Sequence, residues 1–381
     1  MIDSQRLVQE LQEHMRKLQD DIVLQETELK LEKSTCERQE SRIKSLETLE
    51  SQLTETREYL TSKRKPLQAT LSFTRHPDMP TATSAGQCVN IDDCLYYSGI
   101  EFDSKDSRTK KCDIHCYTIG LKKWSKLPQH PTCAQFSLGH INRQLVAIGG
   151  WNCSMEKASN KIVHVHHRRG MKKLVIRDMS TPRHSPMVVS LPSCVVVAGG
   201  IVDQDDHYTD IVEIYNIGTA KWSQAESMPK LCSFQMVGIV KESMYVIGNR
   251  DENSRLNEMF CTSLDQLLSQ GKDEGLLQPS IWRQVANTPA YCQSAIIASN
   301  IVLAMGGYKT AKLSNFEIDQ CIYAYSPTLN SWINVGELPS PMANLTVASL
   351  PTREFITIGG FNTASHPTKT VYNATFNLSI R

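Results

Sequence analysis

Residues 1–65 contain no glycine and no proline, although the 381-residue chain holds 19 of one and 16 of the other. A segment without either breaker has nothing to fold it back on itself, which excludes a compact, turn-rich domain there. Charge of one sign is missing too, because 41 Lys and Arg stand against 40 Asp and Glu. The first 65 residues carry 12 basic and 14 acidic side chains, so neither part of the chain is a polyelectrolyte. That excludes a nucleic-acid footprint and an electrostatic membrane anchor. Long hydrophobic runs are absent as well. MIDSQRLVQE lacks the apolar core of a signal peptide, and the most apolar stretch, residues 187–202, is cut by Pro192 and two glycines. It reads as two strands rather than a membrane span, and a cytoplasmic location is expected.

The twelve cysteines form no paired framework, which excludes a disulfide scaffold and leaves them as free thiols. Cys112, His115 and Cys116 have no second pair at zinc-site spacing. In KIVHVHH, His164 and His166 project to one face of a strand without a third ligand, and they read as imidazoles on a solvated outer hairpin. Arg168, Arg169, Lys172 and Lys173 follow as its charged tip. A nucleophile elbow, a phosphate loop and a paired-carboxylate signal are all missing, so the expectation is a non-catalytic protein with no catalytic residues, cofactor or metal.

What is present is a repeat. Six times an aromatic or apolar residue is followed seven positions later by proline: Phe73/Pro80, Trp124/Pro131, Val175/Pro182, Trp222/Pro229, Trp282/Pro289 and Trp332/Pro339. Apolar runs such as LVAIGG, VVVAGG, VLAMGG and FITIGG end on a glycine doublet, whose second position reads Gly99, Gly150, Gly200, Asn249, Gly307 and Gly360. The intervals are 51, 50, 49, 58 and 53 residues. Short β-branched runs suit strands buried on both faces, and glycine ends them where the backbone turns through conformations a Cβ forbids. Tyr117/Trp124, Tyr215/Trp222 and Tyr325/Trp332 share a Tyr-x6-Trp spacing across turns rich in Gly, Pro and Asn. The tryptophans are expected to fill the wedge between adjacent sheets as buried rings.

These columns over residues 71–381 resemble the kelch repeat, whose blades are four-stranded sheets set radially around a channel. The resemblance implies an all-β six-bladed kelch β-propeller spanning residues 66–381. The second repeat departs from the pattern at Arg168 and Val175, and the fourth at Gly248 and Asn249. The sixth repeat supplies three strands and the segment near 71–75 an orphan fourth, so pairing the two closes the last blade. Kelch propellers imply a binding face built from the loops after the doublets and those between blades. Mapped here, the candidate protein-binding residues are Trp151, Arg183, Tyr208, Arg250, Tyr291, Tyr308 and Phe361, side chains of the kind enriched in binding hot spots.

Ahead of the propeller, residues 1–65 carry a heptad pattern. Position a holds Val8, Met15, Ile22, Leu29, Cys36, Ile43, Glu50 and Arg57; position d holds Leu11, Leu18, Gln25, Glu32, Gln39, Leu46, Leu53 and Leu60. A helix this long has no core of its own and needs a partner helix, parallel or antiparallel. The expected protein is therefore a scaffold or adaptor, self-associating through the coiled coil and binding a protein partner through the propeller loops. Two alternatives stand beside it. Ubiquitin-ligase substrate adaptors join kelch repeats to BTB domains, or place RING and B-box modules before a coil, and neither occurs in these residues. Some kelch-like propellers are copper oxidases with a tyrosine–cysteine crosslink, but no spacing here gathers Tyr, His and Cys.

Overall fold

The computed structural model describes residues 67–101, 113–127, 134–152, 154–165, 174, 176–205, 207–229, 237–248, 258–269, 280–289, 294–298, 301–309, 317–327, 329–350 and 354–380, with 25, 39–40 and 42–44 ahead of them. Those six leading residues are helical and exposed. The remainder of the heptad segment, and with it the expected coiled coil, lies outside the described residues. Contacts divide the chain into Met1–Leu67 with Ile380–Arg381, and Gln68–Ser379.

Strand β1 (Leu67–Arg75) is followed by six sheets in chain order. Blade 1 is β2 (Thr83–Ile91), β3 (Cys94–Glu101), β4 (Ile114–Thr118) and β5 (Lys123–Lys126). Blade 2 is β6 (Ser137–Ile141) and β7 (Gln144–Ile148), then a small β8 (Trp151–Asn152) and β9 (Lys157–Ala158) pair, then β10 (Ile162–His164). Blade 3 is β11 (Met187–Ser190), β12 (Cys194–Ala198), β13 (Val212–Asn216) and β14 (Lys221–Ala225). Blade 4 is β15 (Val237–Val240), β16 (Ser243–Gly248), β17 (Glu258–Ser263), a short helix α1 (Leu264–Ser269) and β18 (Arg283–Val285). Blade 5 is β19 (Ser294–Ala298), β20 (Ile301–Met305), β21 (Cys321–Ser326) and β22 (Ser331–Glu337). Blade 6 is β23 (Thr346–Ser349), β24 (Glu354–Ile358) and β25 (Val371–Ile380), and β1 lies against β25 as its outer strand. Each blade is an antiparallel meander, and blade 2 has three strands among its described residues.

The core is not central. Six apolar clusters fill the wedges between neighbouring blades, one of them joining Val196 and Ile214 of blade 3 to Val246 and Phe260 of blade 4. The middle strands are buried on both faces, β12 along its whole length, because each sheet is sandwiched between two others.

The Tyr-x6-Trp spacing makes direct cross-strand pairs: Tyr117 opposite Trp124, Tyr215 opposite Trp222 and Tyr325 opposite Trp332. The ring centroids are 4.8, 5.2 and 5.3 Å apart. The tyrosines are the buried rings, whereas Trp124, Trp222 and Trp332 are half-buried lids and only Trp282 is enclosed. The indoles do more than fill space. Nε1 of Trp124 donates to Pro77 O (3.0 Å), that of Trp222 to Arg177 O (2.8 Å) and that of Trp332 to Ala286 O (3.0 Å), each on the outer segment of the preceding blade. A side chain that must reach the next sheet with a polar tip cannot also be fully buried in its own.

The glycine doublet is a clasp between blades. Gly149 and Gly150 have φ of 67° and 109°, and a Cβ on Gly149 would overlap the Arg183 carbonyl. That carbonyl accepts the Gly150 N–H at 2.9 Å. The same bond runs from Gly307 to Met342 O and from Gly360 to Thr83 O, both at 2.9 Å. Blade 1 differs from the sequence expectation: Gly99 makes no turn, because β3 runs on to Glu101 and β2 instead carries a bulge between Ser84 and Gln87.

Candidate functional site

Every described doublet is followed by a miniature hairpin on the same rim. Trp151 pairs with Ala158, Ile201 with Tyr208, Tyr308 with Ile318 and Phe361 with Pro367. Trp151, Ile201, Tyr308 and Phe361 are therefore equivalent, each the first residue after its doublet. Backbone bridges from Trp151 to Ala134, Ile201 to His184 and Phe361 to Ala343 tie three of them to the start of the inner strand of the same blade. The hairpin tips fold locally because an Asn or Asp side chain accepts successive N–H groups. Asn152 Oδ1 takes Ser154 and Met155, Asp203 Oδ1 takes Asp205 and His207, and Asn362 Oδ1 takes Ala364 and His366, all at 3.0–3.1 Å.

Of the residues expected to bind, Trp151, Tyr208, Tyr308 and Phe361 lie on these hairpins and are half-buried. Trp151 packs edge-on against His184, centroids 5.4 Å apart, and burial raises the Tyr308 phenol above its ordinary pKa. Met155 stands out from the blade-2 tip, 63% exposed, and Gln204 Nε2 donates to Glu156 O at 2.9 Å, joining the hairpins of blades 2 and 3. Arg250 and Tyr291 lie outside the described residues, as do His166, Arg168 and Lys172.

Arg183 is a correction. It is fully buried and faces inward, not on the rim. Its guanidinium meets the Glu213 carboxylate of β13 and donates to Gly199 O (3.0 Å) and Ile211 O (2.8 Å). Glu213 also accepts the N–H of Ser180 at 2.7 Å and that of Thr181 at 3.3 Å. The physical cause is the clasp, which fixes the Arg183 backbone at the blade boundary. Thr83 and Met342, whose carbonyls are held the same way, are also buried. His164 is a second correction: it is buried, with Nδ1 accepting the Leu174 N–H at 3.3 Å, and is not on a solvated hairpin.

Asp203, Asp205 and His207 bring three possible ligand atoms within 4.8 Å on the blade-3 hairpin. His207 Nδ1 already contacts Asp203 Oδ2 at 2.6 Å, and that bond holds the Asp203 carboxyl below its usual range. What the repeat did not reveal is that Ile201, at the position equivalent to Trp151, Tyr308 and Phe361, is buried, so the blade-3 hairpin offers Tyr208 instead.

The fold and this rim define a six-bladed β-propeller with a loop face. Residues 182–229 match the kelch motif, and motif and blades together support a kelch-repeat β-propeller. Two curated relatives come from Limulus polyphemus: Beta-scruin, 26% identical over 130 residues, and Alpha-scruin, 25% identical over 153 residues. These matches cover 32% and 38% of this chain but only 13% and 15% of those proteins. The solved structure of YjhT superposes with a TM-score of 0.60 at 14% identity, covering 80% of this chain and 99% of that one, a likeness of fold alone. Among the described residues no helix is long and apolar enough to cross a membrane.

Proposed function

We propose that the chain is a non-catalytic scaffold or adaptor whose propeller rim binds a protein partner and whose N-terminal heptad segment brings two or more copies together. The observation that carries this reading is the rim itself. Trp151, Tyr308 and Phe361 stand at one position of the blade 2, 5 and 6 hairpins, each pinned by backbone bonds and each leaving part of a ring in solvent. Rigid, half-exposed aromatics spaced around a ring give a broad contact surface with little ordering to be done on binding. Linking copies through a coil raises effective concentration, so modest contacts at each rim sum to useful avidity.

Two measurements test it. A partner identified by proximity labelling is titrated against the purified wild type and against Met155→Glu, Tyr308→Ser and Phe361→Ser. At least one variant is expected to weaken binding about tenfold, equivalent to about 1.4 kcal/mol, with melting changed little for Met155→Glu. Unaltered affinity across all three would overturn the rim assignment. Sedimentation of the full chain and of residues 66–381 should give an oligomer and a monomer; a monomeric full chain would remove the avidity argument.

A further inference from the structure

The strand that closes the ring has an open side. Blade 6 runs β1, β25, β24, β23, so among the described residues no strand pairs with β1 on the side away from β25. A bare edge offers a row of N–H and C=O groups to any other strand, and proteins blunt such edges by keeping them short or charged. The outer strands of blades 1, 3, 4 and 5 follow that rule. β5, β14, β18 and β22 are three to seven residues long, and each carries a lysine, an arginine or a glutamate. β1 does not: it is nine residues long, and from Leu67 to Thr74 it holds no charged residue.

This edge is also held in place. Leu71 lies over Gly336 of blade 5, where an added Cβ would come within 2.8 Å of the leucine side chain. The Phe73 ring meets Phe355 and Tyr372 edge-on, at 6.3 and 6.4 Å. Thr70, Ser72 and Thr74 are exposed. A strand already ordered on one side loses little freedom when it pairs on the other. Its sequence is moreover self-complementary. In an antiparallel register centred on Leu71, each Leu71 stands opposite the other, Thr70 stands opposite Ser72, and Arg75, the strand's single charge, stands opposite Leu67. No like charges meet.

We propose that β1 pairs along this edge with β1 of a second copy, so that two four-stranded blades become one eight-stranded sheet. Such pairing depends on the self-association through the heptad segment proposed above. One strand pair is marginal in water, so it does not hold unlinked copies together and residues 66–381 alone stay monomeric. Between linked copies it forms at high effective concentration, because Leu67 follows the last heptad d position, Leu60, by only seven residues. The pairing also selects an orientation for the coil. Antiparallel helices deliver the two β1 strands to opposite ends of a bundle roughly 90 Å long, whereas parallel helices release both at one end. In the register above the two Leu67 residues stand about 26 Å apart, at about 3.3 Å per residue. Residues 61–66 of each chain, which span up to about 20 Å, can bridge that gap.

Hydrogen exchange of the full-length protein, read on peptides covering β1 with sedimentation of the same samples, tests the pairing. In the wild-type oligomer the amides on both edges of β1 should be protected. Thr70→Lys combined with Ser72→Lys gathers four lysines across the pair, at positions exposed in each single copy. Exchange of the outward amides should then quicken about tenfold, with melting temperature and oligomeric state unchanged. Co-expression with a chain carrying Thr70→Glu and Ser72→Glu should restore protection, since opposite charges then face each other. The proposal fails if the wild-type oligomer leaves alternate β1 amides unprotected, or if the lysine variant exchanges as wild type does; both results leave the coil standing. A monomeric full chain removes the coil and the strand pair together.

Discussion

Arg183 shows how one residue in a regular repeat can invert its expected role. On a loop between blades it reads as a contact residue, yet it is a buried cation whose donors are spread over one carboxylate and three carbonyls. Burial lowers its pKa and the Glu213 charge opposes that shift. Arg183→Met should therefore destabilise by about 3–5 kcal/mol in urea unfolding, since it strands Glu213 without a partner. Adding Glu213→Leu should recover much of that loss, because the uncompensated charge is then gone. An equal loss in the double variant would mean that the carbonyl contacts, not the ion pair, carry the effect. Acid should act through His76 and His140. Burial holds the His76 and His140 pKa values below 6.5, with Lys122 and Arg143 pushing the same way and Glu354 and Asp92 pushing back. Above that ordinary value both folded and unfolded forms are neutral and the groups contribute nothing. Below it the unfolded chain takes up protons first, so stability present at neutral pH is lost as pH falls from about 6.5 toward the depressed folded values. Melting temperature followed from about pH 8 to about pH 5 should be flat and then decline.

At the level of elements, the indole that caps each tyrosine also bonds the preceding blade. Trp222→Phe keeps an aromatic ring over Tyr215 but removes the donor to Arg177 O and part of the indole's contact area, for an expected loss of about 1–2 kcal/mol. Trp222→Ala removes both and should cost about 2–3 kcal/mol, less than a fully buried ring because this one is partly exposed. Equal losses in the two variants, read by urea unfolding, would mean that the hydrogen bond alone matters. These hairpins were legible because their chemistry is local: a turn of Gly, Pro or Asn places residues seven apart directly opposite each other. The doublets were legible as the ends of strands but not as clasps, since their partners, Arg183, Met342 and Thr83, belong to the next blade and follow no residue pattern. The rim residues Trp151, Tyr308 and Phe361 stood out by type. Arg183 misled because a single sequence shows where a loop runs and not which way its side chain turns.

For the whole molecule, the decisive bond is the one between its two ends. β1 lies against β25, Leu71 and Phe73 pack with the cluster between blades 5 and 6, and the Phe73 ring meets Phe355 edge-on at 6.3 Å. Deleting residues 66–82 should lower the melting temperature of the entire propeller in a single transition, rather than shed one blade, because it opens a ring of six interlocked wedges. Two separated transitions, or an unchanged midpoint, would show that the blades are independent. The same pairing sets a condition on how the protein is made. Arg75 leaves the ribosome long before Val371, and at roughly 5–20 residues per second the wait between them is about 15–60 s. Throughout that interval β1 has no strand to join, while Leu71 and Phe73 have no surface to cover them. The strand that opens the propeller is the last to find its place, so the newborn chain depends on whatever shields an unpaired apolar edge until β25 emerges.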